Sequence, residues 1–247
     1  MVLSEKSLGA THRDGEAMRR RISGLLTAIG LLLVIGVAPA SAQSGGVVQP
    51  HRTYAGKTYG QWSAAWWQWA AGIPVPNSPI DDPTGRNCAA DQSGAVWFLA
   101  GTADGSTVTR RCTLPADKAI LIPIINTECS TIEGNGKTVQ ELRQCANTTM
   151  SGASEVWASV DGAKLRLGPC ASRFRFESPP FKITFARNNA FYADGSVAGT
   201  STAVADGYWV MLRPLSPGTH TIAFHALLTD FDFEVDVRYI LTVRGLG

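Results

Sequence analysis

"FDFEVDVRYILTV", residues 231–243, is the stretch whose reading decides the fold. Phe231, Phe233, Val235 and Val237 fall on one side of an extended chain, and Asp232, Glu234, Asp236 and Arg238 fall on the other. Successive side chains of a strand point to opposite faces, so this period of two describes a strand with one buried and one wet face. The acidic side reads as a solvated sheet face, not as a carboxylate site.

Working back from it, the chain offers more strands. "AVWFLAGTADGSTVTRRCTL" (95–114) reads as a hairpin turning at Asp104-Gly105. "AILIPIIN" (119–126) is a continuous apolar run, as expected of a strand covered on both faces. "SEVWASVDGAKLRL" (154–167) turns at Asp161-Gly162, and "RFRFE", "FKITF", "YWVML" and "THTIAFHAL" follow with Pro-Gly punctuation. That makes about nine or ten strands with short turns and no alternating helices, which predicts an antiparallel β-sandwich of jelly-roll type.

Two helices interrupt the pattern. Thr58 and Gln61 have capping-box spacing, and Gly72 and Pro74 end the segment they open. Tyr59, Trp62, Trp66, Trp69 and Ile73 then form one stripe at helical spacing, as core residues do. Trp67 sits off that stripe. Either a second element covers it, the long loop after Gly72 being the expected one, or it is exposed as the ligand-stacking residue. Thr138 and Glu141 repeat the capping box and open a shorter helix.

The N-terminus has a different character. Arg19, Arg20 and Arg21, the apolar run "GLLTAIGLLLVIGVA" (24–38) and Ala40-Ser41-Ala42 have the order of a secretory signal peptide. Residues 1–42 are therefore expected to be removed, leaving a flexible arm at 43–57, a single β-sandwich domain at 58–247, and no stable membrane insertion after cleavage. Of the 22 basic and 20 acidic residues, that removal takes Lys6, Arg13, Arg19, Arg20 and Arg21 against Glu5, Asp14 and Glu16. The remainder is formally neutral, so nothing suggests a nucleic-acid partner.

Secretion or a periplasmic location would make the five cysteines candidates for disulfides. Connectivity does not follow from sequence, but proximity favours Cys88–Cys112 and Cys129–Cys145, leaving Cys170 free. No C-x-x-C pair is present.

Four phrases, "QWSAAWWQWAAGIP", "GRNCAADQSGAVWFLAGT", "RRCTLPADKAILIPIINTECS" and "ADGYWVMLRPLSPGTHTI", resemble a family of exported bacterial proteins that lacks an assigned activity. The likeness covers most of residues 58–245. It implies export and a β-rich fold, and it transfers no catalytic residue.

The chain contains no G-x-S-x-G, H-E-x-x-H, phosphate-binding loop or dinucleotide fingerprint. His220 and His225 are an odd number of residues apart on one strand and so face opposite ways, which argues against a local metal pair. "DDPTGRN" (81–87) offers calcium-type oxygens without the spacing of a known loop. No metal and no cofactor are expected. The remaining cluster is "PIINTECS" (123–130), where Asn126 and Glu128 follow the apolar strand at an expected rim. Glu128 paired with His220, helped by Arg111 and Asn126, is the catalytic constellation the sequence suggests. The competing reading has Glu128 capping or pairing with an arginine, and His220 packed in the core. The leading functional expectation is an exported binding or structural protein that recognises a carbohydrate or cell-envelope polymer. The alternative is a secreted hydrolase or lyase using Glu128 and His220.

Overall fold

The computed structural model describes residues 46–245, and the signal-peptide reading of 1–42 lies outside them. Over this span the chain forms α1 (Tyr59–Gly72), β1 (Val96–Phe98), β2 (Val108–Pro115), β3 (Ala119–Ser130), α2 (Val139–Ser151), β4 (Ala153–Val160) and β5 (Ala163–Lys164). A 3-10 turn at Pro169–Phe174 leads to β6 (Arg175–Glu177), β7 (Phe181–Phe185), β8 (Gly199–Leu212), β9 (Gly218–Leu228) and β10 (Phe233–Arg244). The fold is mostly β with two α-helices.

The strands make two five-stranded sheets. In the first, β1, β3, β8 and β6 are neighbours in that order, and β7 also pairs with β8. The second has the order β2-β10-β9-β4-β5. Buried residues of both sheets, such as Leu121 and Trp209 of the first and Phe224 and Leu241 of the second, belong to one core. In the second sheet the expected alternation holds: Val235, Val237, Tyr239 and Leu241 are buried, while Glu234, Arg238 and Thr242 are exposed. In the first sheet β3 from Ala119 to Ile125 and β8 from Ala203 to Leu212 are buried without a break, as a strand covered on both faces requires.

Both helices pack on the first sheet, α1 against β6, β7 and β8, and α2 against β3 and β8. Each opens with the expected capping box, Thr58 with Gln61 and Thr138 with Glu141. The tryptophan stripe is structural at three points. Trp62, Trp66 and Trp69 donate their indole N–H groups to the carbonyls of Tyr54, Leu99 and Ala90 at 2.9, 2.7 and 2.9 Å. One helix face thereby holds three separate loop segments.

The structure corrects three expectations. The sheets are mixed, not antiparallel throughout, because β1 pairs in parallel with β3 and β2 with β10. Residues 95–114 are not a hairpin. The turn at Asp104-Gly105 exists, with Gly105 at φ 74° and Asp104 Oδ1 accepting from Ser106, but its two flanking strands enter different sheets. Leu99–Gly101 carries the chain across, and Arg110 and Tyr239 hold the carbonyl of Ala100 there. A strand that changes sheets is free of the antiparallel pairing that a two-residue turn imposes. Phe231 is not part of the last strand: it ends a 3-10 turn and is 59% exposed. Within the 43–57 arm, Val48 and Pro50 are buried and most of the other described residues are exposed. Val48 donates its N–H to Met211 O at 2.8 Å, and the Tyr59 hydroxyl donates to Val48 O.

The disulfides Cys88–Cys112 and Cys129–Cys145 form as proximity favoured, with Cα separations of 5.9 and 6.2 Å. The side chain of Cys170 lies outside the described ones. Cys129 is inside β3, so its bond fastens α2 directly to a core strand. Replacing both Cys129 and Cys145 by Ser is expected to cost ~3 kcal/mol in the chain-entropy model. Hydrogen exchange should accelerate first at amides 139–151, and unchanged protection there would contradict this role.

Candidate functional site

Pro123 interrupts β3 in mid-sheet, where a strand can tolerate a residue without an N–H only by bulging. The pairing with β8 shifts register between Pro123 and Ile125. Beyond the bulge, Asn126 lies opposite Gly207, where an added Cβ would come within 2.4 Å of the Asn126 Cβ. The close approach of β3 and β8 at this point requires a residue without a side chain. From the bulge onward, Asn126, Thr127, Glu128 and Cys129 border a cavity of about 500 Å³. Both sheets contribute to it: Leu228 and Val235 stand on the far side, and Phe231 lies on its lining. Trp66 and Trp67 come from α1, Thr149 and Met150 from α2, and Phe191 and Tyr192 from the segment between β7 and β8.

Glu128 is the chemical centre. It is 7% exposed, within the strand rather than at a rim, and its Oε2 is buried without a hydrogen-bond partner among the described residues. Burial, followed by the hydrogen bond and the charge of nearby Glu133, pushes its carboxyl up to about 10, so it is protonated at neutral pH. A protonated Glu128 can donate to Glu133, which supplies the partner that its carboxylate form lacks. Glu133 is held in turn by two hydroxyls: Ser130 donates to its Oε2 at 2.5 Å and Tyr192 to its Oε1 at 2.6 Å. Burial and then the two glutamates push the Tyr192 phenol upward as well, keeping it a donor. The pair is thus a neutral carboxyl beside a doubly hydrogen-bonded one, an arrangement suited to holding or moving a proton.

Only two of the residues expected at a catalytic constellation meet here, Glu128 and Asn126. His220 is buried, with Nε2 donating to Ser216 O at 2.9 Å and Nδ1 2.8 Å from Asp161 Oδ2. It fastens the β4–β5 turn to the start of β9, as the packed-core reading held. Arg111 is exposed on β2, and the arginine that turns inward is Arg110. In "DDPTGRN" the carboxylate of Asp82 accepts from Thr84 and Asn87, which makes it a turn-holding group.

Trp67 is buried, so of its two expected outcomes the covered one applies, but with a different cover. Phe191, from the segment between β7 and β8, lies 5.1 Å from its ring, and the loop after Gly72 contributes Ile80 to the same cavity. Glu133, Tyr192 and Phe191 escaped the sequence reading. Glu133 had a weak signal, five residues after Glu128 and just beyond the phrase that ends at Ser130. Tyr192 had none, since 59 residues separate it from Glu133. Among the described residues no group of His, Cys, Asp and Glu is placed to hold a metal ion, and no helix is long and apolar enough to cross a membrane. In comparisons with known proteins, no family model, no curated protein and no solved structure matches this chain.

Proposed function

We propose that this is an exported binding protein whose inter-sheet cavity receives a segment of a carbohydrate or cell-envelope polymer. One observation carries the reading. Trp67 Nε1 and Thr102 Oγ1 are buried without a hydrogen-bond partner among the described residues and belong to residues that line this cavity, whereas the similarly orphaned Trp97 Nε1 and Trp209 Nε1 lie outside it. An orphaned buried polar group costs ~1–3 kcal/mol, a cost that a fold bears where a ligand or a reaction uses the group. Aromatic walls around a few polar groups, at a volume within the range of small-ligand sites, have the character of a binding pocket. The scaffold in this proposal is a jelly-roll-like sandwich, with the parallel edge pairs as its departure from that plan. Export rests on the signal-type N-terminus, the family resemblance and the two disulfides.

A polysaccharide pull-down with two variants tests it. Phe231→Ala removes an exposed ring at the cavity and should leave stability within ~0.5 kcal/mol of wild type while weakening retention. Trp67→Phe keeps an aromatic ring but removes the N–H, and retention should again fall. A glycan array and pull-down with no retained polymer would remove the proposal.

The pairing of Glu128 with Glu133 favours a second reading, a secreted hydrolase or lyase. Here neutral Glu128 is the proton donor, and Glu133 takes the place expected for His220 as its partner. Glu128→Gln should then abolish turnover on any polymer the protein degrades while leaving its retention intact.

A further inference from the structure

We propose that the cavity is specific for an organic ammonium group, carried on a hydroxylated ligand such as an amino sugar. This rests on the binding reading above and names its ligand class. The carrying observation is a buried acid whose partner is a second acid, in a cavity without a basic residue. Glu128 is 7% exposed, and it lines the cavity with Glu133 close by. No lysine, arginine or histidine is among the lining residues, and neither glutamate takes part in an ion pair among the described residues. An anionic ligand would therefore meet only like charge. A cation would meet two carboxyl groups that have no other counter-charge.

The walls suit the same ligand. Trp66 and Trp67 stand edge to face at 5.2 Å with an 87° interplanar angle, and Phe191 is tilted by 39° against Trp67. Rings set at steep angles present π-faces in several directions, and those faces attract ammonium groups most strongly where water is excluded. The Trp67 N–H and the Thr102 hydroxyl are left to meet a hydroxyl oxygen of the ligand. An amino sugar or an amino alcohol carries both kinds of group.

Cation binding is linked to protons. The titratable groups facing Glu128 are Glu133, on the turn after β3, and Tyr192, between β7 and β8. The residues that α1, α2, β9 and β10 contribute to the lining do not titrate: tryptophans, Thr149, Met150, the Cys129–Cys145 disulfide and apolar side chains. A bound ammonium stabilises ionised Glu128, so binding expels a fraction of its proton and affinity rises with pH.

Calorimetry on the purified full chain tests this with two matched pairs of probes. One pair is choline and its neutral isostere 3,3-dimethyl-1-butanol. The other is a glucosamine trimer and the N-acetylglucosamine trimer. The cationic member should bind roughly tenfold or more tightly in at least one pair, and the pair that shows it tells a free ammonium compound from an amino-sugar polymer. Choline, whose charge is fixed, serves for the pH series if it binds, and its affinity should rise between pH 6 and 9 with proton release into the buffer. Glu128→Gln should remove both the rise and the release. Equal binding within both pairs, or a preference for the neutral members, overturns the ammonium assignment, and retention of the N-acetylated trimer would leave the binding proposal standing. No binding by any probe overturns the assignment and counts against the binding proposal as well. The paired comparison uses the wild-type chain and does not depend on the variant's folding.

Discussion

Replacing Arg110 by alanine is expected to cost ~3–5 kcal/mol, among the largest losses available to a single substitution in this chain. Arg110 is 1% exposed, and its guanidinium is satisfied almost wholly by main-chain oxygens. Nε donates to Asp82 O at 2.6 Å, Nη1 to Ala100 O and Gly101 O at 2.6 and 2.9 Å, and Nη2 to Ile80 O at 3.1 Å. Nη1 also reaches the Tyr239 hydroxyl at 3.1 Å, and the guanidinium lies over that ring, 5.7 Å from its centroid. One side chain thus joins the loop after α1, the crossover between the sheets, and β10. Truncation would orphan several buried carbonyls at once and leave a cavity where the side chain had been. Lysine would not rescue the loss, because an ammonium lacks the planar fork that spans these acceptors. Arg111→Ala is the control, and it should change stability by no more than ~0.5 kcal/mol because that side chain is exposed. Urea denaturation of the three variants would measure the differences. Equal midpoints for Arg110→Ala and Arg111→Ala would contradict the account.

The second large effect is a pH dependence. The fold raises the Glu128 carboxyl from its ordinary value of 4.5 to about 10, so the native state holds this proton more tightly than the unfolded chain does. The sign follows directly. The stabilisation is complete below about 4.5 and is lost as pH rises toward about 10. The loss has an upper limit of ~1.4 kcal/mol per pH unit, or ~3–6 °C in melting temperature for a domain of this size. Glu128→Gln has nearly the same shape as the protonated acid and does not titrate. The variant should match wild type near pH 5 and become progressively the more stable of the two up to pH 9. Parallel melting curves across that range would mean that Glu128 is already ionised in the native state. The neutral-acid description of the site would then fail, and with it the proton release expected on binding an ammonium.

The residues that decide both effects differ in how far sequence alone could place them. Arg110 was legible in principle, since it shares strand parity with Val108 and Cys112, both buried, while Thr109 and Arg111 share the outer face. Alternation does not say that the arginine takes the buried face, because a charged side chain facing the core runs against ordinary burial preferences. Glu128 was legible as a candidate, but its position at a rim was not. The apolar run stops at Asn126, whereas the strand continues to Ser130 because β8 goes on pairing with it. The expected partner, His220, was matched on chemistry, and chemistry carries no information about which sheet a residue joins.

Sequence by itself determined what short-range physics controls. Both helix starts follow from capping boxes whose hydrogen bonds close within three residues. The β-rich class follows from period-two alternation and the β4–β5 turn from Asp161-Gly162, while closeness along the chain favoured the two disulfides without fixing them. The tertiary structure alone decided how the strands were shared between the sheets, which pairs ran parallel, what covered Trp67, and that Glu133 and Tyr192 joined Glu128. Alternation records which face of a strand is buried, but it is the same for parallel and antiparallel neighbours and for either sheet. The cavity depends on contacts between segments more than a hundred residues apart, such as α1 with the segment carrying Phe191, and on β3 and β10 lining one space. Those contacts exist only once the two sheets have closed on their common core.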